Sequence, residues 1–214
     1  MMRLLILFIV CSPLLVAGTV AAAEKEPIIK VVRVEPLQFN AVTGLTIEPI
    51  LEDAAGDYYS FEYRWFLNGE ESLFETTEKF PGELLRRDDE ISVEVTPIDS
   101  SGNKLAPYVT LPLRAVNASP AIGSVPPTRF SNQGFRYRVA ATDPDGDTVS
   151  YHLEEGPENM LIDSSTGELT WVFEQLPEGS FPVLIVAEDN FGGRAEQRFE
   201  LNLSFVPKGE AKNE

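Results

Sequence analysis

From Ile28 onward the chain alternates apolar and polar residues with period two, in short runs cut by turn residues, and it shows no stretch of helical period. That single pattern excludes helical bundles and parallel α/β folds and leaves antiparallel strands packed as a sandwich. The runs Ile28 to Glu35 and Leu45 to Leu51 are predicted strands. Between Phe61 and Leu67, the side chains of Phe61, Tyr63, Trp65 and Leu67 fall on one face, with Glu62 and Arg64 opposite. Asn68-Gly69 then predicts a tight hairpin turn. Ile91, Val93 and Val95 alternate with Ser92, Glu94 and Thr96; Asp99-Ser-Ser-Gly102 predicts a turn, and Tyr108 to Val116 a closing strand.

The pattern then restarts. Asn117 to Pro127 is rich in Pro, Ser, Ala and Gly and poor in charge, which predicts a semi-rigid, extended linker. Beyond it, Phe135, Tyr137, Val139 and Ala141 share a face. Thr148 to Leu153 forms the next strand, and Leu169, Trp171 and Phe173 point inward. Phe181 to Ala187 is nearly all apolar, as a central strand would be, and Phe199, Leu201, Leu203 and Phe205 alternate as a half-buried final strand. With 214 residues, the chain has room for two sandwiches of ordinary size. The expected organisation is all-β: a signal peptide over 1–23, a first sandwich over 24–117, a second over 118–206 and a disordered polar tail over 207–214.

The N-terminus follows another logic. Met1-Met2-Arg3, the apolar run from Leu4 to Val10 continued by Leu14 to Ala17, and Ala21-Ala22-Ala23 follow the order of a secretory signal, with cleavage expected before Glu24. The alternative is an uncleaved N-terminal anchor. Cys11 is the single cysteine, preceded by Val10 where a lipoprotein motif needs a small residue, so it is taken as part of the signal. Without it the exported protein has no disulfide and no thiolate chemistry, which points to a bacterial periplasm or cell surface more than to a eukaryotic secretory route. The formal charge is −17, and −18 once Arg3 leaves. Such an acidic surface disfavours nucleic acid and anionic lipid and favours divalent cations or a basic partner.

Enzymatic signatures are thin. His152 is the sole histidine, on a strand and expected to face solvent, so neither a transition-metal site nor a hydrolytic triad is expected. There is no phosphate-binding glycine loop. Trp65 and Trp171 lie in alternating runs, which places them in cores before it makes them sugar platforms.

Asp143, Asp145 and Asp147 are two residues apart in DPDGD, and on a turn their carboxylates converge. Calcium takes six to eight oxygens with several carboxylates among them. An EF-hand register is excluded: the sixth place is Thr148 rather than glycine, and Val149, Tyr151 and Leu153 alternate as a strand before Glu154.

YRVAATDPDGDTVSYHL, MLIDSSTGELTW and FPVLIVAEDNFGGRAEQRFELNL together resemble the cadherin-like domains of the dystroglycan and bacterial putative-Ig type, over Ser119 to Val206. The first half, with YRWFLNGEE and LLRRDDEISVEVTPIDSSG, is similar to Ig-like and fibronectin-like modules of bacterial envelope proteins. Trp65 stands where such modules place their core tryptophan, without the flanking cysteine pair. The cadherin-like resemblance implies a calcium site made by Asp143 and Asp145 with Asp189 of the Ala-x-Asp turn. The Asp-Arg-Glu signature and the acidic linker of true cadherin repeats are replaced here by EQLPEG and VNASPAI. The function expected is an exported, non-enzymatic protein for adhesion or envelope assembly with a protein partner, with calcium as its candidate cofactor; a carbohydrate-binding accessory protein is the alternative.

Overall fold

The computed structural model describes residues 26–52, 57–128, 134–175 and 177–203. The expected signal over 1–23 and tail over 207–214 lie outside them. Among the described residues, sixteen strands and one short 3-10 turn make up the regular structure, and the fold is all-β. Among the described residues no helix is long and apolar enough to cross a membrane.

The first half contains β1 (Ile28–Glu35), β2 (Leu45–Glu52), β3 (Ser60–Leu67), β4 (Glu70–Ser72), β5 (Lys79–Phe80), β6 (Glu90–Ile98), β7 (Tyr108–Val109) and β8 (Leu113–Arg114), with the 3-10 turn at Gly82–Leu84. One sheet runs β1-β2-β5; the other runs β4-β3-β6-β7, with β8 also on β6. The β3–β6 register sets Trp65 opposite Val93, Tyr63 opposite Val95 and Leu67 opposite Ile91, so the alternation read in sequence becomes one shared inner face. That face meets Leu45, Ile47 and Phe80 of the other sheet, with Phe39 and Leu85 closing the core. Asn68 and Gly69 have φ of 52° and 84°, the two positive values that a twisted two-residue hairpin needs. The expected closing strand from Tyr108 to Val116 is instead two two-residue pieces. Pro112 lies between them and has no N–H to give the ladder.

The second half contains β9 (Ala121–Ile122), β10 (Gly134–Arg138), β11 (Ala141–Thr142), β12 (Ser150–Glu155), β13 (Met160–Ile162), β14 (Glu168–Val172), β15 (Gly179–Glu188) and β16 (Arg194–Leu203). Its sheets are β10-β14-β13 and β12-β15-β16, with a short β9–β11 ribbon. Phe135, Val139, Leu169, Trp171, Val183, Ile185 and Leu201 fill the space between them. Both tryptophans are core residues, 1% and 5% exposed, and each indole N–H donates to a backbone carbonyl, Trp65 to Thr77 and Trp171 to Glu158. His152 is exposed, as expected.

The segment from Asn117 to Pro127 is not the extended linker its composition predicts. Ala118 is fully buried, β9 pairs with β11, Gly123 donates to the Ala140 carbonyl at 3.0 Å, and Ser124 is bonded to the Tyr137 hydroxyl at 2.6 Å. Small residues let the backbone lie flat on the sandwich, and proline is compatible with an edge position. Val116 still donates to Phe39 of the first core at 2.9 Å, so the crossing between halves is confined to the immediate neighbourhood of Asn117.

Asp163 organises the β13–β14 turn. Its Oδ1 accepts the N–H and hydroxyl of both Ser165 and Thr166, and these donors, the Thr166 N–H foremost, hold its carboxyl down at about 2. A carboxyl depressed in the folded state stabilises fully above its unfolded value and loses that contribution as pH falls towards the folded one. The stability gap between the wild type and Asp163→Asn is therefore expected to be full near neutrality and to close between about pH 4 and pH 2. Thermal melts of both proteins across that range check it; a gap independent of pH would count against the charge as its source.

Candidate functional site

The acidic turn joins β11 to the strand that becomes β12. Gly146, at φ 86°, donates its N–H to the Asp143 carbonyl at 3.1 Å, and this reversal brings the three aspartates to one side. One carboxylate oxygen from each of Asp143, Asp145 and Asp147 lies within 4.8 Å of the others. Asp143 Oδ1 accepts the N–H groups of Asp145 (2.8 Å) and Asp147 (3.2 Å), so this carboxylate also shapes the turn.

The turn does not face open solvent. Arg87, from the bend before β6 in the first half, reaches into it. Its backbone N–H donates to Asp145 Oδ1 at 2.7 Å, and its Nη1 is paired with Asp147 Oδ2 and lies 3.3 Å from Asn117 Oδ1. Ala118 N–H takes the other Asp145 oxygen at 2.7 Å. The guanidinium carbon sits 3.2 Å from the centre of the Phe191 ring, a stacked cation–π contact. Desolvation pulls the Arg87 pKa down, but its bond to Asp147 and the charges of Asp147, Asp145 and Asp88 outweigh that and hold it above its ordinary value.

Asp189 occupies the neighbouring loop between β15 and β16. It is 5% exposed, and its Oδ1 accepts the N–H groups of Phe191 (2.7 Å) and Gly193 (2.9 Å). Its Oδ2 accepts the Asn117 side-chain amide at 2.8 Å. Burial pushes this carboxyl up, yet the Asn117 amide and the N–H groups of Gly193, Phe191 and Gly192 more than compensate and leave it below its ordinary value. Asn117 thus bridges the site, donating to Asp189 and accepting from Arg87.

Of the three residues expected to hold calcium, Asp143 and Asp145 converge, and Asp147 completes the cluster. Asp189 is one bridge away, through Asn117. Arg87 had no signal in the motifs of the second half, because its partners lie 58 and 60 residues along the chain. The donor set does not fit a calcium ion as arranged. Both oxygens of Asp145 and both of Asp189 accept N–H groups, and Asp147 is paired with the guanidinium. Among the described residues, Asp143 Oδ2 and Arg87 Nε are the buried side-chain polar atoms that have no hydrogen-bond partner, and both belong to this site.

Fold and site define a tandem β-sandwich protein whose C-terminal half is an Ig-like domain docked on the first sandwich through a polar junction. A family model described as "Putative Ig domain" matches residues 117–204. Among solved structures, the human Desmocollin-1 ectodomain is similar at 18% identity and TM-score 0.35, covering 74% of this chain and 36% of that one. Protocadherin Gamma B2 cadherin domains 3-6 are 14% identical with TM-score 0.34, covering 81% and 52%. Chicken VE-cadherin EC1-2 is 18% identical with TM-score 0.33, covering 69% and 83%. The chain therefore spans little more than a third of the first of these and about half of the second. Among curated proteins none matches.

Proposed function

We propose that this chain is an exported, non-enzymatic binding protein of the bacterial envelope that engages a protein partner in adhesion or assembly, its two sandwiches divided at Asn117. The observation that carries the proposal is an apolar surface on the first sandwich. Phe74 is 91% exposed and Val42 67% exposed, and both border a recess of about 440 Å³ together with Thr46, Lys79 and Pro81. Leu73, beside Phe74, is also exposed. Large apolar side chains gathered in this way on a water-soluble sandwich mark a contact surface. The acidic charge of the chain selects a partner with basic residues around an apolar protrusion.

The carbohydrate alternative has no comparable support, since Trp65 and Trp171 are buried and offer no face to a sugar. Calcium held by Asp143, Asp145 and Asp189 would require Arg87 and Asn117 to give up their bonds to this cluster.

Photo-crosslinking in the envelope of a bacterium expressing the full chain tests the proposal. A photoreactive residue at position 74 is expected to give one discrete adduct that fades as salt is raised. The same residue at position 161, on the second sandwich, is expected to give none. Equal labelling from both positions, or none from position 74, would refute it.

A further inference from the structure

We infer that Arg87 is the resident cation of the acidic turn, and that it docks the two sandwiches without a metal ion. Three carboxylates with oxygens inside 4.8 Å of one another repel unless a positive charge stands among them. The structure supplies that charge from within the chain. The Arg87 side chain is 22% exposed and that of Asp147 14%, so their ion pair is only partly screened by solvent.

The geometry is a socket rather than a chance surface contact. Four separate segments converge on Arg87: its own bend, the DPDGD turn, the junction residue Asn117 and the loop carrying Phe191. The backbone N–H binds Asp145, the guanidinium binds Asp147 and Asn117, and the aromatic ring covers the guanidinium. The neighbouring Arg86 makes no such reach; its guanidinium donates locally, to the carbonyls of Glu83 and Leu85. A divalent ion would need six to eight oxygens around one point. Here most of the candidate oxygens already accept N–H groups, and the guanidinium is paired with Asp147 Oδ2. Because arginine stays protonated under all physiological conditions, this coupling responds neither to chelators nor to ordinary changes of pH. The relative placement of the two sandwiches is thus fixed at synthesis and does not follow the calcium level outside the cell.

The inference also predicts what appears when the arginine is lost. Arg87→Ala keeps the backbone N–H that binds Asp145 and removes the side chain beyond Cβ, the guanidinium included. It frees Asp147 Oδ2 and Asn117 Oδ1 beside Asp143 Oδ2, which makes a partial oxygen set with affinity expected in the millimolar range of weak extracellular sites.

Small-angle scattering and thermal melts of the mature chain, each in chelator and in millimolar calcium, test this. The wild type is expected to give the same radius of gyration and the same melting temperature in both. Arg87→Ala is expected to show a larger radius in chelator and to contract and melt higher when calcium is added. Asp147→Ala approaches the junction from the other side and is expected to expand without recovery in calcium, which keeps the test decisive if the arginine variant does not fold. A wild type that contracts or gains stability with calcium would overturn the inference. So would an Arg87→Ala protein that scatters like the wild type and ignores calcium.

Discussion

Trp65→Ala is expected to cost the first sandwich about 3–5 kcal/mol, a large part of the ~5–15 kcal/mol that holds a domain of this kind together. The side chain is 1% exposed and lies against Phe80 at 5.3 Å between ring centres. It also pairs in register with Val93, so truncation opens a cavity between the two sheets instead of at their rim. Removing the indole takes away the donor for the Thr77 carbonyl as well. The chain has two tryptophans, one in each core, so the variant retains Trp171 as a reporter of the second core alone. Urea titration followed by circular dichroism is expected to show an early transition that the wild type lacks. The Trp171 emission midpoint should move only by the amount that the junction couples the two cores. A loss below about 1 kcal/mol, the ordinary cost of a surface change, would contradict the packing described.

That packing rests on a pattern fully visible in the sequence, whereas several other features of the fold and site are not. β3, its turn at Asn68-Gly69 and β6 are legible because alternation over seven or more residues and a two-residue turn are local signals. β4, β5, β7 and β8 are too short to carry a period. They exist because a longer neighbour offers an edge, as β2 does where Leu45 faces Phe80. The stretch after Asn117 has the composition of a linker, but proline and small residues equally suit a flat edge segment, and only packing decides between them. At the site, the DPDGD turn and Asp189 could be read because their motifs are short and contiguous. Arg87 could not, because nothing within ten residues of it marks its partner. The pair Arg86-Arg87 ahead of Asp88-Asp89 was the available hint. Which arginine turns to the junction is set by the bend, where Arg86 N–H is fixed by Asp89 Oδ2 at 2.7 Å.

Gly193→Ala is expected to damage the junction most for the smallest chemical change. A Cβ at this position would collide with Asp189 Oδ2 and would stand 2.8 Å from Asn117 Nδ2 and 2.9 Å from Ser119 Cα. The backbone cannot retreat, because Gly193 N–H donates to Asp189 Oδ1 and its carbonyl accepts from Asp189 N–H at 3.0 Å. Overpacking of this kind costs about 1–3 kcal/mol. Moving Asp189 away from its donors adds a comparable ~1–3 kcal/mol, since a buried carboxylate short of hydrogen bonds keeps its desolvation cost. Gly192→Ala is the control. Gly192 has φ 88° but open space around its Cβ direction, so alanine there brings backbone strain of roughly 1–2 kcal/mol and no collision. Chemical denaturation should therefore rank Gly193→Ala well below Gly192→Ala. The pH dependence separates the two causes further. Asp189 titrates below its ordinary value, so its contribution is complete above about pH 4 and fades as pH falls. A variant that has lost the Asp189 bonds lacks this contribution from the start, and its deficit against the wild type should shrink on acidification; the deficit at Gly192, whose N–H is one of several donors to Asp189, should shrink less. Equal deficits for the two glycines at every pH would mean that Asp189, Asn117 and Gly193 are not in the close contact on which the bridge to Arg87 depends.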